Sequence, residues 1–159
     1  MNELWNRLQR WLEDHAPTIL ESFNPPATRE ELDRLRAATD ERLPDLYAFL
    51  ELRNGQDERP LFDDWSMLSA TAILREIGLM REQVVPSWQA NGVNLEVAEV
   101  IGPIRLTLWD EQWIPVFSDG TNLLCLDLIP ASGGTEGQLI KWSRDLNPSS
   151  GSRLDYGSG

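Results

Sequence analysis

Cysteine and histidine are almost missing from this chain: of 159 residues, Cys125 and His15 are the only ones of their kinds. A single cysteine excludes an internal disulfide and suits a reducing compartment. One His and one Cys cannot assemble the nitrogen and sulfur ligands of a zinc site. A Ser or Cys nucleophile would have to draw its base from the distant His15, and no serine sits in a nucleophile elbow. Gly133, Gly134 and Gly137 fall between predicted strands with no helix after them, so they do not make a phosphate-cradling loop. The expectation is a chain with no catalytic constellation, no bound metal and no cofactor.

Positive charge is also scarce. The 14 Lys and Arg face 26 Asp and Glu, a net charge of −12. That balance repels a phosphate backbone, and no Lys/Arg cluster offsets it, so nucleic acid is not an expected partner. No apolar run is long enough to span a bilayer, and "MNELWNRLQRWLEDH" lacks the uninterrupted apolar segment of a signal peptide. No membrane partner is expected, and the expected location is cytoplasmic. An acidic surface keeps a protein soluble and can steer a basic partner toward it. Nothing in the sequence specifies the oligomeric state.

What is present reads as helices first and strands later. Leu4, Trp5, Leu8, Trp11 and Leu12 fall at helical spacing, so both tryptophans are expected in the core, and Pro17 closes the helix. Thr28 and Glu31 have the spacing of a capping box, with Leu32 and Leu35 on the buried side of the helix that follows. "LPDLYAFLELRNG" is a short helix with Pro44 in its first turn, an apolar face of Leu46, Tyr47, Phe49 and Leu50, and a left-handed stop at Asn54-Gly55. "WSMLS" reads as a short strand, and Ser69 as the cap of a helix carrying Ile73, Leu74, Ile77 and Met80. Beyond Val85, "IRLTLW", "WIPVFS", "NLLCLDLI" and "GQLIKW" are four candidate strands with short turns between them, an antiparallel meander. The fold class is α+β, with N-terminal helices packed on one face of a twisted, mainly antiparallel sheet. Residues 1–146 form one domain, and residues 147–159, rich in Ser and Gly, form a flexible tail.

The carboxylates need separate treatment. Asp63-Asp64 and Asp110-Glu111 are adjacent pairs, and neighbours on a strand or turn point apart, whereas two-carboxylate hydrolysis needs a set separation across a cleft. A carboxylate-based hydrolase therefore ranks last among the readings. Asp127 lies inside an apolar strand, where an ionised group must be hydrogen-bonded or face water. The sequence places it on the open face of the sheet or in a functional role.

The ordered set of "LPDLYAFLELRNG", "WIPVFSDGTNLLCLDLIP" and "EGQLIKW" resembles the SUKH superfamily, which takes its name from fungal cell-wall-synthesis regulators and is widespread in bacteria. The matching residues are Leu43-Pro44, Asn54-Gly55, Trp113, Pro115, Asp119, Gly120, Leu126, Asp127, Leu128, Gly137 and Gln138. Family members continue after the "GQ" strand into a C-terminal helix, and "SRDLNPSSGSRLDYGSG" departs from that pattern. The resemblance implies a binding domain without catalysis, most often an immunity protein that blocks a cognate polymorphic toxin of nuclease or deaminase type. Its alternative is a regulatory interaction module like the fungal relatives. A cognate toxin or other basic protein is the implied partner. The candidate contacts are Asp63, Asp64, Trp65, Asp110, Glu111, Trp113, Asp119 and Asp127, with Asp57 and Glu58 beside them. Trp65 and Trp113 serve as anchors only if exposed; otherwise they are core residues.

Overall fold

A computed structural model describes residues 1–39, 41–57, 59–97 and 99–144, together with the backbone of residues 155–156. The chain divides into two compact units, Met1–Leu74 and Arg75–Gly159.

The first unit is helical. Helix α1 (Asn2–His15) stops at Ala16, whose backbone (φ −151°, ψ 62°) leaves the helical region that a following proline disfavours. Pro17 then opens the five-residue α2 (Pro17–Glu21). Trp5 and Leu12 bury the inner face of α1 against Phe23, with Leu8, Phe49 and Leu61 around them. The Trp5 ring meets Phe23 edge-on at 5.1 Å and Phe49 at 5.6 Å. Trp11 corrects the reading of α1. It is 55% exposed, as is Leu4 at 60%, because the apolar arc is wider than the contact it makes with the core.

Helix α3 (Arg29–Ala38) carries the expected capping box. The Glu31 N–H donates to Thr28 Oγ1 (3.2 Å) and the Thr28 N–H to Glu31 Oε2 (2.8 Å), while Leu32 and Leu35 are buried. Helix α4 (Pro44–Leu52) buries Leu46, Tyr47 and Leu50. It ends earlier than the Asn-Gly signal implied, at an extended Arg53. Gly55 does take a left-handed φ of 69°, but for a different reason: a Cβ there would lie 2.5 Å from the Leu68 carbonyl carbon and the Ser69 nitrogen. That crossing brings in strand β1 (Ser66–Met67) and the start of α5 (Ala70–Leu79). Ser69 Oγ accepts from the Ala72 N–H at 3.1 Å, the cap expected of it.

In the second unit the end of α5 passes into a π turn over Met80–Val84 and then into α6 (Val85–Ala90). Pro86 lacks the N–H that an unbroken α-helix would donate one turn back, which accounts for a disrupted ladder at this point. Strands β2 (Trp113–Ser118), β3 (Leu123–Asp127), β4 (Gln138–Trp142) and β5 (Asp155–Tyr156) form an antiparallel meander in chain order. The chain is thus α+β. Trp113 pairs with Asp127, Cys125 with Ile140, and Asp127 with Gln138, and a bulge lies between Pro115 and Phe117. Met80, Val84, Val85 and Trp88 pack against Trp113, Cys125, Ile140 and Trp142, so helical residues cover one face of this sheet.

One expectation for this unit needs correction. "IRLTLW" is not a strand of the sheet: Thr107 makes a lone bridge to Glu96, and its N–H turns back to the Arg105 carbonyl at 2.8 Å. Its alternating apolar residues do not share a fate, since Ile104 and Leu108 are buried and Leu106 is 53% exposed. The presumed tail falls mostly outside the described residues, but Asp155 and Tyr156 within it pair with Lys141 and Ile140 as β5.

Candidate partner-binding surface

The sharpest exposed feature of the first unit is a four-residue turn, Phe62-Asp63-Asp64-Trp65. The Trp65 N–H donates to the Phe62 carbonyl and the Leu61 N–H to the Trp65 carbonyl, both at 2.8 Å. Asp63 closes the turn with a φ of 46°, a left-handed conformation in which Asp is among the more tolerant residues. Asp63 and Asp64 are exposed, Trp65 is half-buried, and Phe62 is 42% exposed. The turn therefore presents two carboxylates between two aromatic rings. The sequence marks Asp63, Asp64 and Trp65 as candidate contacts; Phe62 joins them in the structure, and its position ahead of two turn acids is the signal that points to it.

Asp57 lies nearby in sequence, and Arg59 engages it at 2.8 Å. The Arg59 side chain, then its backbone N–H, holds the Asp57 carboxyl below the usual range. Glu58 lies outside the described residues.

In the second unit the candidates stand at the two ends of β2. At its start, Asp110 accepts from Arg105 (3.0 Å) and from the Gln112 N–H (2.9 Å), and the exposed Glu111 faces Arg81 at 3.5 Å. At its end, Asp119 accepts from the N–H groups of Thr121 (2.8 Å) and Asn122 (2.6 Å) and from the Asn122 side-chain amide (2.9 Å). Burial alone would raise the Asp119 pKa. The two backbone N–H groups, the Asn122 amide and the charge of Lys141 outweigh it and hold the group below the usual range. Six strand residues separate the two ends, about 20 Å. Asp110-Glu111 and Asp119 are therefore not one cluster.

Trp113 and Asp127 do not belong to a surface at all. Both are 0% exposed. Trp113 packs edge-on to Trp109, which in turn meets Trp142 at 5.5 Å, so a tryptophan group fills the second core. Asp127 lies on the covered face of β3 with Leu123 and Cys125, not on an open one, and Leu124 and Leu128 are buried on the other side. Its charge is met within the fold. Oδ1 accepts from the Ile129 N–H and Oδ2 from the Gln138 amide, both at 2.9 Å. The same amide also donates to the Pro103 carbonyl at 3.0 Å. Asp127 and Gln138 therefore lock the β3–β4 connection to the loop around Pro103, and neither can touch a partner.

Asn54 has the matching role in the first unit. Its Oδ1 accepts from the Ala70 N–H at the start of α5 (2.8 Å), its amide donates to Glu31 (3.3 Å), and its carbonyl accepts from the Asn24 amide (3.0 Å). Residues that carried the family resemblance thus build the frame, while Asp63, Asp64 and Glu111 are exposed on its turns.

The chemistry this arrangement can perform is narrow. Burial, reinforced by the charges of Glu76 and Asp127, pushes the Cys125 thiol far up and away from its reactive thiolate form. Among the described residues no group of three or more His, Cys, Asp and Glu is placed to hold a metal. No described helix is long and apolar enough to cross a membrane.

Two proteins similar to this chain give the arrangement a context. One is a glucan synthesis regulatory protein of Neurospora crassa, 24% identical over 90% of this chain and 34% of its own length. Another is a KNR4/SMI1 homolog of Yarrowia lipolytica, 22% identical over 90% of this chain and 27% of its own length. The chain thus spans about a third of these relatives or less. Residues 26–155 match the SMI1 / KNR4 family (SUKH-1), a span that takes in Asn54, the acidic turn and strands β1 to β4. The chain belongs to the SMI1 / KNR4 (SUKH-1) family.

Proposed function

We propose that this chain is a non-catalytic protein-binding domain that neutralises a cognate toxin, one whose substrate cleft is basic, as in a nuclease or a nucleic-acid deaminase. The observation that carries this reading is the acidic excess of 12 charges together with an exposed, backbone-fixed turn that holds Asp63 and Asp64 between Phe62 and Trp65. Fixed carboxylates flanked by aromatics suit a cationic cleft. The charges raise the encounter rate and the rings exclude water once docked. Hydrolysis is disfavoured by what the other acids are doing. Asp57, Asp110 and Glu111 each face an arginine rather than one another across a cleft.

A second reading has its own support. The similar proteins are named as a glucan synthesis regulatory protein and a KNR4/SMI1 homolog, which favours an interaction module acting on proteins of the same cell. Co-purification with the product of the adjacent gene separates the two. The toxin reading expects that product to carry a toxin module and to lose its activity in the complex. A neighbour with no toxin module, or a toxin that stays fully active when mixed with excess chain, overturns it in favour of the regulatory reading.

A further inference from the structure

Helix α1 has a second apolar stripe, which the first core covers only in part, at Leu8. Trp5 and Leu12 point inward, but Met1, Leu4, Leu8, Trp11 and His15 recur at the alternating three- and four-residue spacing of a coiled-coil seam. Leu4 and Trp11 are 60% and 55% exposed, Met1 is exposed and Leu8 half-buried. The stripe is also held in shape. The His15 ring stacks on Trp11 at 4.7 Å, nearly parallel, and His15 Nδ1 donates to the Trp11 carbonyl at 2.9 Å. Helix α1 precedes the span that matches the family, which starts at residue 26. The stripe therefore lies outside that matched span.

We infer that this stripe is a self-association surface, on which α1 of a second copy docks antiparallel. The charges beside the seam select this occupant. Arg7 and Asp14 flank the stripe one heptad apart, and among the described residues neither makes an ion pair. In an antiparallel register that sets Leu8 against Trp11 of the second copy, and Leu4 against its His15, Arg7 comes beside Asp14 of that copy. Two-fold symmetry repeats the pair, so Leu4, Leu8, Trp11 and His15 and the two flanking charges are matched by one operation, with Met1 left beyond the overlap. A generic acidic segment would meet Asp14 as well as Arg7, and a basic one the reverse. A helix of 14 residues is only about 21 Å long, and each chain carries a charge of −12. The contact is therefore smaller than a standard interface and opposed at long range, and the dimer forms and dissociates with concentration.

Sedimentation equilibrium over a wide dilution series tests this. The weight-average mass should rise from 18.1 kDa toward twice that value as concentration increases. Trp11→Glu, at an exposed position, should keep its melting temperature and remain a single chain throughout. Arg7→Asp or Asp14→Arg alone should weaken association roughly threefold to tenfold, the effect of two exposed ion pairs, and the two together should restore it. Three results would overturn the inference: a wild-type mass fixed at one chain, a Trp11→Glu variant that associates like wild type, or a charge-exchanged double variant no better than the singles.

Discussion

At the scale of single residues, Asp127 has the firmest hold on the fold. A carboxylate with no exposure keeps its charge at low cost only where donors are aimed at both oxygens, and the Ile129 N–H and Gln138 amide provide them. Asp127→Ala removes the acceptor and leaves both donors buried without it, a loss of about 2–3 kcal/mol. Chemical denaturation should show a lower midpoint with little change in slope. Asp64→Ala, at an exposed position, should stay within about 0.5 kcal/mol of wild type, whereas Asp63→Ala should cost about 1 kcal/mol because it places Ala at a left-handed φ of 46°. Gly55 makes the second residue-level case. Both its left-handed φ and the 2.5 Å approach of Leu68 forbid a side chain, so Gly55→Ala should be destabilised by more than the roughly 1 kcal/mol that positive φ alone exacts. Calorimetry that found Gly55→Ala as stable as wild type would refute the close crossing of the two segments.

At the scale of elements, the capping box of α3 links sequence to pH behaviour. The Thr28 backbone N–H, followed by its hydroxyl, the Asn54 amide and Thr71, holds Glu31 below the usual carboxylate range despite partial desolvation. A depressed folded-state pKa contributes stability at pH values above the unfolded-state pKa of about 4.3, and that contribution is lost as pH falls through the folded value. Glu31→Gln should therefore be destabilised at neutral pH by about 0.5–1 kcal/mol. The gap to wild type should close once the pH drops below the carboxylate range, which melting curves over that range would reveal. This helix was legible because a capping box is a local pattern: both partners lie within one turn, and Leu32 and Leu35 follow at helical spacing. The same holds for the hairpin of β2 and β3, where Asp119 and Gly120 mark the turn.

"IRLTLW" misled because alternation records only which residues are apolar, not whether a neighbouring strand is there to pair with them. Trp11 misled in a similar way, since periodicity finds an apolar arc but not its width relative to the surface that covers it. The role of Asp127 was illegible for a further reason. Its amide partner Gln138 stands across a strand pair, a distance no local window spans.

At the scale of the whole molecule, charge is the property that ties frame to function. The motif residues Asn54, Asp127 and Gln138 are consumed in holding segments together, so the outward-facing acids are free to differ without disturbing the fold. Under the proposed toxin-binding role, partner choice would rest on the charged turns and on Phe62 and Trp65, and association would be steered over distances comparable to the Debye length. The measurement that tests this proposal most directly is a stopped-flow titration of the product of the adjacent gene, as the proposed cognate toxin, with this chain, following association rate and residual toxin activity from low to high ionic strength. The account predicts that activity is abolished at one chain per toxin. It also predicts that the association rate falls steeply with salt, and that Asp63→Lys with Asp64→Lys slows association far more than it speeds dissociation. A toxin that remains active in excess chain, or an association rate indifferent to both salt and the charge reversal, would contradict it.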